Sequence, residues 1–283
     1  TIAFGSMPEP MLDTDFSANL ADFMDDSELN VLKNDLMDNV ESDKDSRSEW
    51  EQTYRDGLEF LGMKSEERTQ PFEGASGVMH PLLAESVTQF QAQAYNELLP
   101  SQGPVKTQVL GMTTPDSEAQ ASRVQEFMNY QLMQVMKEYD PETDQMLFYL
   151  PLSGSAFRKI YYDQNMGRAV SKFIPSEDLI VPYTATDLHS ATRITHVINM
   201  PINDIKKLQQ MGFYSDVNVE SGNMLARETD EIQEEIDEIQ GVSPSYNDDD
   251  TCKVHEIHTD LDIPGFEDLD AQGEETGIKL PYI

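Results

Sequence analysis

The spacing of the hydrophobic residues changes near residue 155, and this change constrains the fold more than any other feature of the sequence. Before that point, large apolar residues recur every three or four positions, as they do on one face of a helix. After it, short β-prone runs alternate with turn residues. Helices followed by strands predict an α+β fold with a mainly antiparallel sheet, rather than a doubly wound parallel one.

Four helices are predicted in the first half, and the first two have clear boundaries. The first ends near Gly62, and the second begins near Pro81 and stops at Pro100. Between them, Gly74 and Gly77 follow Pro71 in a loop where we expect backbone angles that larger residues cannot adopt. The apolar faces of the two helices comprise Trp50, Tyr54, Leu58 and Leu61, and then Leu83, Val87, Phe90, Ala94 and Leu98.

The third and fourth helices share a start signal, a capping residue followed by proline. Thr114 and Pro115 open the third, and Asp140 and Pro141 open the fourth, which is expected to be short. Methionines at helical spacing suit either a core or a subunit interface that repacks. The predicted buried side of the third helix is Val124, Phe127, Met128, Leu132, Val135 and Met136, and the fourth runs through Met146, Leu147 and Leu150.

The second half of the chain predicts strands. Asn165 and Gly167 lie in a turn between two β-prone runs, so a hairpin is expected there. The last six residues have the pattern of a strand that stops without a turn, from which we expect the chain to be incomplete beyond Ile283. The predicted strands are residues 156–163, 168–174, 179–181, 192–199, 252–261 and 278–283, with a short helix over 201–211.

Two segments are too acidic and too poor in large apolar residues to bury much surface. Residues 1–45 are expected to form a largely disordered, flexible arm, in which leucines at helical spacing allow a short helix against a partner. Residues 218–250 are expected to be an acidic linker with one amphipathic helix marked by Ile232, Ile236 and Ile239. The α+β core is then predicted over residues 46–217, and residues 251–283 continue its strands.

The charge balance excludes several classes of function. The chain has 53 acidic and 19 basic residues, a formal net charge of -34, which repels nucleic acid and anionic membranes over most of the surface. A sequence-specific DNA reader is therefore not expected. Cys252 is the one cysteine, so no disulfide forms within the chain and a reducing cytoplasm suits it. No apolar run approaches the roughly 18 residues of a membrane span, and no secretion signal is recognised.

Two clusters of potential metal ligands have simpler interpretations. His255 and His258 flank Glu256, but residues three apart in a strand face opposite sides of a sheet, which argues against a shared ion. The carboxylates at residues 248–250 and at Asp260 and Asp262 lack the order of a calcium loop, so a solvated acidic loop is favoured. The other histidines, at positions 80, 189 and 196, are scattered singly.

Catalytic motifs are not recognised in the sequence. Residues 153–155, Ser-Gly-Ser, fall short of a full nucleophile elbow, and no glycine-rich phosphate loop is followed by lysine. We therefore predict no enzyme activity, no cofactor, and no catalytic, cofactor-binding or metal-binding residues.

Several ordered stretches resemble the portal family of short-tailed and related bacteriophages, the head-to-tail connector proteins. Spread over residues 68–200, these stretches are more specific than one short motif. A weaker match follows at residues 256–262 (EIHTDLD). The main stretches are residues 68–76 (RTQPFEGAS), 79–87 (MHPLLAESV), 89–94 (QFQAQA), 97–107 (ELLPSQGPVKT), 148–159 (FYLPLSGSAFRK), 175–179 (PSEDL), 181–183 (VPY) and 192–196 (TRITH).

The resemblance implies a structural role at one vertex of a viral capsid, where a ring of usually twelve subunits passes double-stranded DNA without reading its sequence. The segment would correspond to the amino-terminal portion, the outer wing, of a subunit. Implied partners are other copies of the chain, the major capsid protein, a scaffolding protein, the terminase packaging motor, and tail or head-completion adaptor proteins, with no membrane. The implied location is the virion, and the host cytoplasm during assembly.

Two other classes remain open from the residues alone. An acidic protein that mimics DNA, or a scaffold-like interaction protein, would show the same charge. An acidic metal-dependent enzyme domain with scattered carboxylates is the third possibility. Sequestration of a basic DNA-binding partner would indicate the DNA-mimicking or scaffold-like protein, and metal-stimulated hydrolysis would indicate the enzyme.

Overall fold

The computed structural model describes residues 19–61, 72, 80–163, 166–219, 251–263, 266–268, 270 and 274–283. This part of the chain has an α+β fold with six helices and two antiparallel sheets, as the change in hydrophobic period predicts. It divides into two compact units. The first contains the described residues up to Glu49 and those from Asp178 onward, and the second contains those from Trp50 to Glu177.

The second unit contains the helices and a two-stranded hairpin. Its elements are α2 (Ser48–Leu61, which begins two residues before the unit), α3 (Leu82–Leu98), α4 (Pro115–Tyr130), a π-helical turn (Gln131–Val135), α5 (Tyr139–Ser153), β1 (Phe157–Asp163) and β2 (Arg168–Ile174). Strands β1 and β2 pair in antiparallel register with Phe157 opposite Ile174. Gly167 in the connecting turn has a φ of 61°, a backbone angle that glycine adopts without strain.

A cluster of aromatic and leucine side chains contributes to the core of the second unit. Tyr54 and Leu58 are buried on the inner face of α2, where Trp50 stacks on Tyr54 with ring centroids 5.4 Å apart. The Trp50 indole Nε1–H donates a hydrogen bond of 3.0 Å to the Ser153 carbonyl, which fixes α2 against the end of α5. Burial raises the pKa of the Tyr54 phenol well above its ordinary value, so this group stays neutral.

The first unit is built on a four-stranded sheet. Its elements are a 3-10 turn (Leu20–Phe23), α1 (Asp26–Asp45), β3 (Leu179–Ile180), β4 (Arg193–Pro201), α6 (Ile202–Gln210), β5 (Thr251–Leu261) and β6 (Leu280–Tyr282). The strand order is β3-β4-β5-β6, and all neighbours are antiparallel. Ile205 is the buried residue of α6. No helix in the described part of the chain has the length and apolarity required to cross a membrane.

The expectation of a largely disordered arm over residues 1–45 does not hold for residues 26–45, which form α1. Asp25 caps this helix by accepting from the backbone of Ser27 and Glu28, and Glu28 bonds back to the Asp25 backbone. At the other end, the buried Asp43 carboxylate accepts from Arg193 of β4 at 2.7 Å. Acidic composition therefore did not predict the structure of this segment, because one of its acids forms an ion pair with a basic residue 150 positions away.

Residues 46–217, expected to form one core, are divided between the two units. Strand β4 pairs with β5 from Arg193 opposite Thr259 to Pro201 opposite Thr251. These hydrogen bonds join residues 179–201 to the sheet of the first unit, while the hairpin belongs to the second.

Most predicted helices and strands are confirmed within a few residues. Helix α4 begins as predicted, with Thr114 as its cap and Pro115 as its first residue. Helix α5 is longer than expected because it continues through Pro151 to Ser153. The predicted glycine-dependent loop around Gly74 and the predicted helix near Ile236 lie outside the described residues.

Candidate assembly surface

Helix α4 of the second unit has no buried residue along its whole length. Its first turn is well made: the Thr114 side chain accepts from the backbone of Ser117, and the Ser117 hydroxyl accepts from the backbone of Thr114. A helix this regular ordinarily gains most of its stability from an apolar face packed against other elements. In α4 such a face exists in the sequence but lies exposed.

The exposed face of α4 is formed by Val124, Phe127 and Met128, which we call the apolar stripe. These residues are spaced i, i+3 and i+4, and their exposed fractions are 47%, 60% and 42%. The prediction that they line a buried side is wrong for the single chain. Met136, six residues beyond Tyr130, is buried as predicted.

Residues 105–110 form neither helix nor strand, and alternate residues among them bond to the side of α4 that carries Gln125 and Asn129; we call them the extended segment. The Asn129 side chain accepts from the backbone N–H of Val105 at 2.9 Å and donates to the Val105 carbonyl at 3.1 Å. One turn earlier, Gln125 accepts from the backbone N–H of Thr107 at 3.2 Å. The Thr107 hydroxyl donates to the carbonyl of Ala121 at 2.9 Å. Gln125 and Asn129 are four residues apart and lie on one side of the helix. We call them the polar row, and they pair with alternate residues of the segment.

Gly103 permits this close approach of the segment to α4. Its φ is 94°, and a Cβ at this position would collide with the Asn129 side chain. Glycine is thus required here both by the backbone angle and by the space available. The Gly-Pro pair at residues 103–104 directs the chain onto the polar row of α4.

The segment ends in a loop that exposes two large apolar side chains, Leu110 and Met112, on either side of Gly111. Their exposed fractions are 87% and 91%, and Gly111 has a φ of 95°. We call residues 110–112 the apolar tip. Together with the apolar stripe, it gives residues 105–128 an unusual share of exposed hydrophobic surface, which in soluble proteins marks a contact with another molecule.

Helix α5 follows the π-helical turn, and two acids at its start, the preceding residue Glu138 and Glu142 of its first turn, bind the outer edge of β2. The Glu142 carboxylate accepts from the backbone N–H of Phe173 at 2.7 Å. The Glu138 carboxylate accepts from Arg168 at 2.6 Å and from the backbone N–H of Ser171 at 3.4 Å. We call this row of bonded N–H groups the covered edge. The hydrogen bond from Arg168 lowers the pKa of Glu138 below its usual range.

The potential metal ligands of β5 are separated as the sequence predicts. His255 lies opposite Val197 and His258 lies opposite Ile194, at positions that point to different faces of the sheet. Sequence reasoning missed that Glu256 and His258, two residues apart, share a face and are hydrogen-bonded at 2.9 Å. Their alternate spacing within a strand was the available signal. Burial lowers the pKa of His255, which favours its neutral form.

The remaining predicted candidates are not brought together. Ser153 is buried, and its hydroxyl donates to the carbonyls of Tyr149 and Ser155, while Gly154 ends α5 with a φ of 77°. The Ser-Gly-Ser run is therefore a helix end. His80, His189 and Asp260 are exposed. His196 lies in β4, and Asp262 follows β5. Residues 248–250 lie outside the described part. Among the described residues, no group of three or more His, Cys, Asp or Glu side chains could hold a metal ion.

The chain matches no protein-family model, and a search of curated proteins found no significant match to it.

Proposed function

We propose that this chain is a structural subunit of a bacteriophage portal, and that its function lies in a ring of copies around double-stranded DNA. The single observation that carries the proposal is the exposed apolar stripe of α4, which together with the exposed apolar tip leaves large hydrophobic side chains uncovered. The resemblance to portal proteins consists of stretches spread over residues 68–200, and one of them, residues 97–107, contains the start of the extended segment. Self-association at this surface is the simplest function for such a helix.

The energetics favour a contact made by several copies together. Moving a fully exposed Val, Phe or Met side chain into an interface contributes about 1.5 to 3 kcal/mol, and the half-exposed side chains of the apolar stripe would each contribute roughly half of that. The net charge of -34 on each chain opposes this contact through like-charge repulsion, which weakens as salt rises. We therefore expect assembly to be favoured by moderate salt or by divalent cations.

The acidity of the chain suits a conduit for DNA. Tight binding to a duplex requires Lys and Arg side chains that displace condensed counterions, and this chain carries 19 such residues against 53 acids. A ring of these subunits is expected to bind DNA weakly and without sequence preference, so that the polymer can slide. In this proposal the packaging motor supplies the energy, and the capsid, scaffolding and tail adaptor proteins bind the outside of the ring at the capsid vertex.

An acidic interaction protein is the second candidate, and α1 favours it. Six acids of this 20-residue helix are exposed, and such a row could imitate the phosphates of a duplex. A monomer that sequesters a basic DNA-binding protein would indicate this function. The exposed acids are Asp26, Glu28, Asp35, Asp38, Glu41 and Asp45.

The test is negative-stain imaging of the full-length protein with two matched variants of α4. Phe127→Asp places a charge in the apolar stripe, whereas Ala119→Asp places the same charge at an exposed position on another side of the helix. We expect rings with a central hole for the unaltered protein and for Ala119→Asp, and separate subunits for Phe127→Asp. Compact monomers of the unaltered protein in moderate salt would exclude the portal function.

A further inference from the structure

The extended segment 105–110 has two edges, and α4 occupies one of them. The N–H groups of Val105 and Thr107 both bond to side chains of the polar row on α4. In an extended chain, successive backbone N–H and C=O groups point to opposite sides. The N–H and C=O groups of Lys106 and Gln108 therefore point away from α4.

These outward groups have no partner within the described part of the chain, where no hydrogen bond involves Lys106, Gln108 or Leu110. All three residues are exposed. The segment reads Val-Lys-Thr-Gln-Val-Leu, and its β-branched and apolar residues are typical of strands. An exposed row of this kind is a template on which another strand can pair.

We propose that the outward edge of residues 105–110 accepts an extended strand from a second copy of this chain. The inference rests on the proposed ring and specifies how neighbouring subunits join. The added strand would form backbone hydrogen bonds with Lys106 and Gln108. Leu110 and Met112 at the apolar tip would then pack on the neighbouring copy, which explains their exposure in the single chain.

Charge identifies a second copy as the occupant. No acidic residue occurs in the sequence between Glu97 and Asp116, Lys106 adds one positive charge in that interval, and Glu118 of α4 is the single acid that lines the pocket beside residues 107–109. Two copies with a charge of -34 each approach at a lower electrostatic cost where carboxylates are few, because both the repulsion between carboxylates and their desolvation are reduced there. A basic partner would instead prefer the acid-rich surfaces, such as that of α1.

The variant pair Gln108→Pro and Gln108→Ala separates the backbone from the side chain. Proline removes the outward N–H and keeps the preceding residue extended, so the paired edge toward α4 is retained. Alanine removes the same side chain and keeps the N–H. In the full-length protein we expect Gln108→Pro to weaken self-association at least about fivefold, because an interchain carbonyl loses its donor. Gln108→Ala should stay within about twofold, since an exposed side chain contributes little.

Backbone hydrogen exchange provides a direct second measurement. The amides of Lys106 and Gln108 should exchange rapidly in dissociated subunits and slowly in the assembled protein, whereas the amide of Thr107 should be protected in both. Rings in which the amides at 106 and 108 still exchange rapidly would overturn the strand pairing and leave the portal proposal standing. Protection that appears only when another protein is added would show that the occupant is not a second copy. Failure of the full-length protein to associate at all would overturn both proposals.

Discussion

Two extended edges in the second unit differ in whether their outward backbone groups have hydrogen-bond partners. At the covered edge, the outward N–H groups of β2 donate to Glu138 and Glu142 at the start of α5. At the extended segment 105–110, the polar row of α4 bonds one side, and the other side has no partner in the described part of the chain. The first edge uses carboxylates and the second uses neutral amides.

The difference shows how an acidic chain can use its acids selectively. A carboxylate that accepts from backbone N–H groups completes an edge and excludes further strands. A stretch without acids of its own leaves the edge available for another strand. The position of the acids therefore carries more information about assembly than their total number.

The largest expected effect on stability comes from removing Glu142. Its replacement by alanine leaves the N–H of the buried residue Phe173 without its acceptor. We expect Glu142→Ala to lower the free energy of unfolding by about 1 to 3 kcal/mol. Urea denaturation measures this effect. Glu126→Ala, which removes an exposed carboxylate of α4, is the control and should change stability by less than about 0.5 kcal/mol.

A smaller loss is expected when the polar row of α4 is interrupted. Asn129→Ala removes two hydrogen bonds to Val105 and should lower the free energy of unfolding by about 0.5 to 1.5 kcal/mol, since the freed backbone groups can reach water. Faster amide exchange at Val105 is the local measurement. Unchanged exchange there would show that Asn129 does not hold the extended segment.

The covered edge should also weaken in acid. Arg168 lowers the pKa of Glu138 in the folded protein, so the ionised carboxylate stabilises the fold above the ordinary pKa of glutamate, about 4.3. This stability is lost as pH falls through the lowered pKa of the folded state. Glu138→Gln should therefore reduce the dependence of the unfolding free energy on pH below about 5. Parallel pH profiles for the two proteins would argue against this contribution.

The smallest expected effect on stability is that of Phe127→Asp. Because its ring is already 60% exposed, the free energy of unfolding of the dissociated subunit should change by less than about 0.5 kcal/mol. Thermal unfolding of dissociated subunits measures it. A large loss would mean that the apolar stripe is packed within the chain, and that it is not an assembly surface.

The sequence predicts the helices and strands well, but it predicts poorly which of them pack together. Thr114 and Pro115 determine where α4 starts, because capping depends on residues close in sequence. The apolar pattern of Val124, Phe127 and Met128 predicts that this side of α4 is buried. It does not show whether the same chain or another molecule buries it.

Contacts between distant residues were also beyond sequence reasoning. The ion pair between Asp43 and Arg193 joins residues 150 positions apart, and the bonds from Glu138 and Glu142 to β2 depend on how α5 packs. Local patterns do not specify such pairings. The acids of α1 and α5 therefore gave no signal, before the structure was known, that some of them have structural partners.

Light scattering of the full-length protein across salt concentration tests the central claim most directly. We expect the mass of a multi-subunit ring at moderate salt, and partial dissociation at low salt as repulsion between acidic subunits grows. A mass that corresponds to one chain at every salt concentration would contradict the account.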